Sequence, residues 1–241
     1  MTKSPTATSI VVGIDGSKAA IRAALWALDE AVSRDIPMRL CCAIDRGESQ
    51  RIAERVLHQA VTAIHATGVP VKTETDVVRG HAVASLIRAS ASAAMVCVGA
   101  VGLRHFHSMG STAAALASSA HCPVAIIRGR AGQRAAGHVV IEVDGPFDND
   151  ELLGVAIEEA LLRGAVLRVV GVADLDRRLT QWKRRYPQLR VESGAPAAPA
   201  GTVIVDARNR DRVAELIGPV ADNSALLEAD CSLLIVNRQH L

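Results

Sequence analysis

Short unbroken apolar runs alternate along this chain with longer stretches whose apolar positions recur at helical spacing, the mark of buried parallel strands covered by helices. SIVVGID at 9–15 predicts a first strand, and Gly16-Ser17 ends it and caps a helix with Ile21, Leu25, Leu28 and Val32 on one stripe. PMRLCCAI at 37–44 predicts the second strand. A helix follows over about 50–66, with Ile52, Val56, Ala60 and Ile64 inward, and closes at Gly68 before a third strand that begins near Val69-Pro70 and runs to Val78. Gly80 opens a third helix carrying Val83, Leu86 and Ile87. A buried strand at 94–99, a glycine-containing loop, a helix at 111–120 and a strand at 123–128 complete the half. Strand and helix in strict alternation predict, through right-handed crossovers, a doubly wound parallel sheet of the Rossmann-like kind.

The same order returns in weakened form. GRAGQRAAG at 129–137 is polar and aperiodic and reads as a linker, dividing the chain into domains at 1–130 and 138–241. VVIEVDGP at 139–146 echoes VVGIDGS at 11–17, with Asp144 in the place of Asp15. A helix at 151–163 with Leu153, Ala156 and Ala160 inward, strands at 165–174, 202–207 and 231–238, and a short third strand near 189–192 follow the first half's plan. GAPAAPAG at 194–201 replaces the helix that Gly80 opens, since its prolines forbid one. Asp206 stands at the position of Gly99 and Asn209 near that of Gly102, and a carboxylate there repels phosphate. The second half therefore reads as a degenerate copy that has lost its ligand.

Composition narrows the class. Hydrophobic residues are 49% of the chain and aromatic residues 2%, so Ala, Val, Ile and Leu must fill the interior, as in an α/β protein. A net charge of +2 points to no nucleic-acid partner. The polar opening MTKSPTATS has neither the length nor the flanks of a signal peptide or membrane span, which predicts a cytoplasmic protein without a membrane partner. The five cysteines sit in or beside apolar runs without C-x-x-C spacing and read as small buried residues; Cys41 and Cys42, as strand neighbours, point to opposite faces.

The segment at 98–128 is where chemistry concentrates. An apolar strand stops at Gly99, a second glycine follows at Gly102, and Gly110-Ser111-Thr112 opens a helix. Glycines let backbone approach a ligand, and the bare N–H groups and dipole of a helix start attract an anion. Bland readings stand beside this one. Asp15 in Asp-Gly-Ser serves a turn as readily as a ligand, and Gly99, Gly102 and Gly110 serve tight turns and helix packing. Arg104, His105 and His107 read as solvated loop residues, two histidines without a carboxylate or thiolate making a poor metal site. The basic run from Arg177 to Arg185 around Leu179 and Trp182 reads as a solvated helix face. There is no nucleophile elbow, metal constellation or P-loop lysine, so the sequence predicts a binder with no catalytic residues.

VVGIDGS, the glycine-x-x-glycine turn, the Gly-Ser-Thr helix start and the closing CPVAIIR together resemble the universal stress protein family, in its tandem two-domain, actinobacterial type. The resemblance implies five-stranded parallel sheets of order 3-2-1-4-5. It also implies ATP, with or without Mg2+, at the carboxyl ends of the strands. Carried over by position, Asp15 would bond adenine or ribose, Gly13 and Ile14 would line the base, and Ala43 would meet adenine through its backbone. Val98 and Gly99 would flank the ribose, Gly102 would admit the phosphates, and Gly110, Ser111 and Thr112 would cap them. The family motif places nine residues between the second and third glycines, whereas LRHFHSM supplies seven. Such a loop either alters the phosphate contacts or closes over an empty site. Two functions remain open: a stress-response protein binding an adenine nucleotide and, through it, a regulatory protein partner, and a nucleotide-free interaction module. A hydrolase or transferase of the same fold lacks catalytic groups. The last strands of the two halves are apolar enough to pair, within the chain or in a homodimer.

Overall fold

The computed structural model describes residues 8–45, 47–100, 111–128, 137–142, 150–170, 180, 183–194, 200–217 and 231–237. Gly102, Gly110, the loop between them, Asp144, most of the linker and the basic run as far as Trp182, apart from residue 180, lie outside these residues. The first half comprises β1 (Ile10–Gly13), α1 (Lys18–Ser33), β2 (Met38–Ile44), α2 (Gln50–His65), β3 (Thr73–Arg79), α3 (Ala82–Ser90), β4 (Met95–Gly99), α4 (Ser111–Ser119) and β5 (Val124–Ile127). The second comprises β6 (His138–Glu142), α5 (Asp150–Arg163), β7 (Val166–Val170), β8 (Val191–Ser193), β9 (Ala200–Asp206), α6 (Arg210–Ile217) and β10 (Ser232–Val236).

All the strands join one ten-stranded sheet, ordered β3-β2-β1-β4-β5-β10-β9-β6-β7-β8. From either edge inward it reads 3-2-1-4-5, and every pairing is parallel except β5 with β10. That antiparallel seam, with Leu233 opposite Ile126 and Ile235 opposite Val124, relates the halves by a pseudo-twofold axis. Polar side chains close it reciprocally. Arg128 Nη2 donates to the Leu216 carbonyl at 2.9 Å, and Asn237 Nδ2 donates to the carbonyls of Ala120 and Cys122, each at 3.1 Å. Each of these residues follows the last strand of its own half and reaches the carbonyl end of a helix in the other, α6 for Arg128 and α4 for Asn237, where the dipole favours a donor.

Two helical stripes differ from the pattern in the sequence. In α1 the wall against the sheet is Ala20, Ala23, Ala24, Ala27, Leu28 and Ala31, while Val32 is 45% exposed. In α2 it is Ala53, Leu57, Ala60 and Ile64, and Ile52 is 54% exposed. The α1 stripe is rotated by about one residue, whereas in α2 Ala60 and Ile64 are buried as expected and Val56 packs on the core, and only Ile52 gives way to Ala53; small residues let a helix lie close on a sheet, and alanine carries less pattern weight than the isoleucine beside it. β3 starts at Thr73, later than Val69-Pro70, and β9 starts at Ala200, earlier than expected.

Candidate functional site

Since β1 is flanked by β2 on one side and β4 on the other, the chain leaves it in opposite directions, and a crevice opens at the carboxyl ends of these strands. A cleft of about 960 Å³ lies there. Gly13, Ile14, Asp15, Ala43, Val98, Gly99 and Thr112 all line it, so the structure gathers seven of the sequence-predicted positions into one cavity. Ser111 begins α4 beside Thr112; its side chain is outside the described residues, as are Gly102 and Gly110.

Asp15 serves the turn: its Oδ1 accepts from the Ser17 amide at 2.9 Å, across Gly16, whose φ of 86° is ground a side chain rarely holds. Ser17 caps α1 by accepting from the Ala20 amide at 3.0 Å. The same carboxylate also faces the cleft, where it and Glu48 are felt by Cys42, whose thiol is pushed up first by burial and then by these two charges. The rim is tied together by the Asp45 amide donating to Glu48 Oε2 at 2.8 Å and by His81 Nδ1 lying 3.4 Å from Asp45 Oδ1.

Ala43 presents what a base edge requires. The amide of Ile14 donates to the Cys41 carbonyl at 2.8 Å, the last rung on that side of β2, and the amide of Gly80 donates to the Ile44 carbonyl toward β3 at 2.9 Å. Backbone groups on a parallel strand alternate sides, so Ala43 turns both its N–H and its C=O toward the side that β1 has left. An adjacent donor and acceptor there match the N1 acceptor and N6 donor of adenine, and oppose the corresponding edge of guanine.

Gly99 has a second employment. A Cβ on it would lie 2.6 Å from the Ala19 carbonyl carbon and 2.7 Å from the Ala19 Cβ, so the start of α1 rests directly on β4. A Cβ on Gly13 would meet the tip of Leu86 at 3.0 Å. The packing reading therefore holds at Gly99 whatever the cleft contains.

The corresponding strand ends of the second half carry different residues. Register places Glu142 where the first half has Gly13, and Asp206 where it has Gly99. Arg212 of α6 meets the Glu142 carboxylate with Nε at 2.6 Å and Nη2 at 2.5 Å, while Arg208 Nη2 lies 2.7 Å from Asp206 Oδ2. Asn209 Oδ1 accepts from the Arg212 amide at 3.2 Å and caps the helix. Ion pairs between its own side chains thus stand at the second crevice, and glutamate opposite arginine was the signal in the sequence that could have shown it.

The cysteines are free and buried. Cys41 and Cys42 belong to hydrophobic clusters on opposite faces of the sheet. Burial pushes the Cys41 and Cys231 thiols up to about 11 and that of Cys122 up to about 12, the reverse of a reactive thiolate. Among the described residues no group of three or more metal-ligating side chains is assembled, and no helix is long and apolar enough to cross a membrane.

Comparison with known proteins adds kinship to this geometry. The model of the universal stress protein family matches residues 7–128. A universal stress protein of Mycobacterium tuberculosis is 45% identical over 280 aligned positions that cover 100% of this chain and 100% of its own. Another from the same species is 45% identical over 212 positions, 77% of this chain and 79% of its own. Among solved structures, a universal stress protein from Archaeoglobus fulgidus DSM 4304 superposes with a TM-score of 0.68 at 18% identity, covering 95% of this chain and 96% of that one, which is a likeness of fold.

Proposed function

Because the chain belongs to the universal stress protein family, we propose that its first half binds an adenine nucleotide, ATP with or without Mg2+, in the cleft above β1 and β4, and that occupancy governs association with a regulatory protein partner in the cytoplasm. The observation that carries this reading is the vacant backbone edge of Ala43 facing the cleft beside Asp15. In it, Ala43 N–H and C=O hold the base, Asp15 accepts from ribose or base, and Val98 and Gly99 bound the sugar. The amides that open α4 at Ser111 and Thr112 face the phosphates, whose charge the helix dipole favours. When bound, Mg2+ would offset phosphate charge. The reading is of a binding protein: a ligand that prefers one conformation shifts the population toward it without chemistry.

Calorimetric titration with ATP, ADP and GTP, each with Mg2+, tests it. ATP is expected to bind at least about tenfold more tightly than GTP, one mismatched hydrogen-bond pair being worth roughly that factor. Asp15→Asn keeps the acceptor for the Ser17 amide while removing the charge, and is expected to weaken ATP by about tenfold with the melting temperature of the free protein unchanged. Absence of heat at millimolar ATP would instead establish the nucleotide-free interaction module.

A further inference from the structure

Away from the cleft, charge is buried where α1 of the first half meets α5 of the second. Glu30 is 1% exposed and Glu159 3%. Arg163 lies between them: its Nε donates to Glu159 Oε1 at 2.6 Å, its Nη2 to Glu30 Oε1 at 2.9 Å and its Nη1 to Asp29 Oδ2 at 3.2 Å. Arg34 Nη2 donates to the second Glu30 oxygen at 2.8 Å. The Arg163 guanidinium also stacks on Trp26, 4.0 Å from the ring centre. From the sheet the titratable neighbour is Cys97 of β4, whose thiol burial holds far up and therefore neutral.

Two buried carboxyl groups, Glu30 and Glu159, thus share Arg163, while Asp29 and Arg34, 43% and 38% exposed, reach water. If both glutamates are ionised their charge is only partly offset where little water reaches, and a single retained proton relieves it. Arg163 holds one oxygen of Glu159 on its Nε and one oxygen of Glu30 on its Nη2, which brings the two carboxyl groups together on one guanidinium. Two ionised carboxylates so placed repel, and both offer only acceptors, whereas a proton on one lets it donate to the other. Burial, with Glu30 next in effect, pushes the Glu159 carboxyl up to about 8.

We propose that a proton shared between Glu30 and Glu159 latches the two halves together at the α1–α5 contact, and that its release to an alkaline medium loosens this contact while the β5–β10 seam holds. The residues that do this come from both halves, so the latch closes only across the pseudo-twofold axis. It stands whether or not the cleft holds a nucleotide.

Trp26 supplies the readout. The chain has two tryptophans, so Trp182→Phe leaves Trp26 alone to report on Arg163 above it. Titrated through the alkaline range, its emission is expected to change in one step with a midpoint near 8. Hydrogen exchange in α1 and α5 is expected to quicken through the same step, with β5 and β10 still protected. Glu159→Gln in this background is expected to abolish the step. Glu30→Gln is expected to move it down by about one pH unit or more, since Glu159 would then face Arg163 without a competing carboxylate. A fluorescence step unchanged in both variants, or no step in the parent, would overturn the latch; should one variant fail to fold, the other decides.

Discussion

Valine at Gly99 is expected to destabilise the nucleotide-free protein by about 3 kcal/mol or more and to lower its melting temperature by roughly 6–12 °C. The atoms it would strike are backbone: the Ala19 carbonyl carbon at 2.6 Å and oxygen at 2.9 Å. They belong to the first turn of a helix held by the Ser17 cap and by its alanine face, so relief requires α1 to move as a body. Gly13→Ala is the matched control. Its new methyl would meet side chains and not backbone, the mobile end of Leu86 at 3.0 Å and Val98 Cγ1 at 3.2 Å, and the expected loss is about 1 kcal/mol. Were Gly99 glycine solely to make room for the sugar of a nucleotide, valine would leave the melting temperature without ligand where it was. Calorimetry of the two variants in nucleotide-free buffer separates these roles.

Much of this architecture is legible in the sequence because burial on both faces of a parallel sheet forces continuous apolar runs, and VVGIDGS and VVIEVDGP announce the same strand twice. The cleft is legible too. Asp15, Ala43, Val98, Gly99 and Thr112 come from four separate elements or their ends, and topology brings them to one crevice as strand order requires. What escaped pattern reading has a common cause. The α1 stripe was rotated, and Ile52 of α2 gave way to Ala53, because alanine is weakly apolar yet packs closest, and Glu30 and Glu159 look like ordinary surface glutamates until a second helix covers them. No period in a sequence says that Arg163 will find Glu30 across a seam between β5 and β10. The packing role of Gly99 escaped for the same reason, since it depends on how closely α1 descends on β4.

Removing the guanidinium from that interface is expected to cost about 3 kcal/mol on the alkaline side of about 8, because Arg163→Ala takes from the Glu159 carboxylate its one cation partner among the described residues and opens a gap against Trp26. Glu30 keeps Arg34, so the loss falls mainly on Glu159. Its size depends on pH, with a definite sign. In the folded protein the Glu159 carboxyl titrates at about 8, above the 4.5 of an ordinary glutamate, so between these values the folded state keeps a proton that the unfolded state has released. Stability from this group is therefore complete below about 4.5, declines as pH rises toward about 8, and is level beyond. Without Arg163 the folded carboxyl holds its proton to higher pH still, and the decline continues where the parent has levelled. The gap between parent and variant should widen from acid to alkali when each is unfolded by urea across that range. A gap of constant size would mean that Arg163 contributes only its contact with Trp26 and leaves the proton on Glu159 untouched.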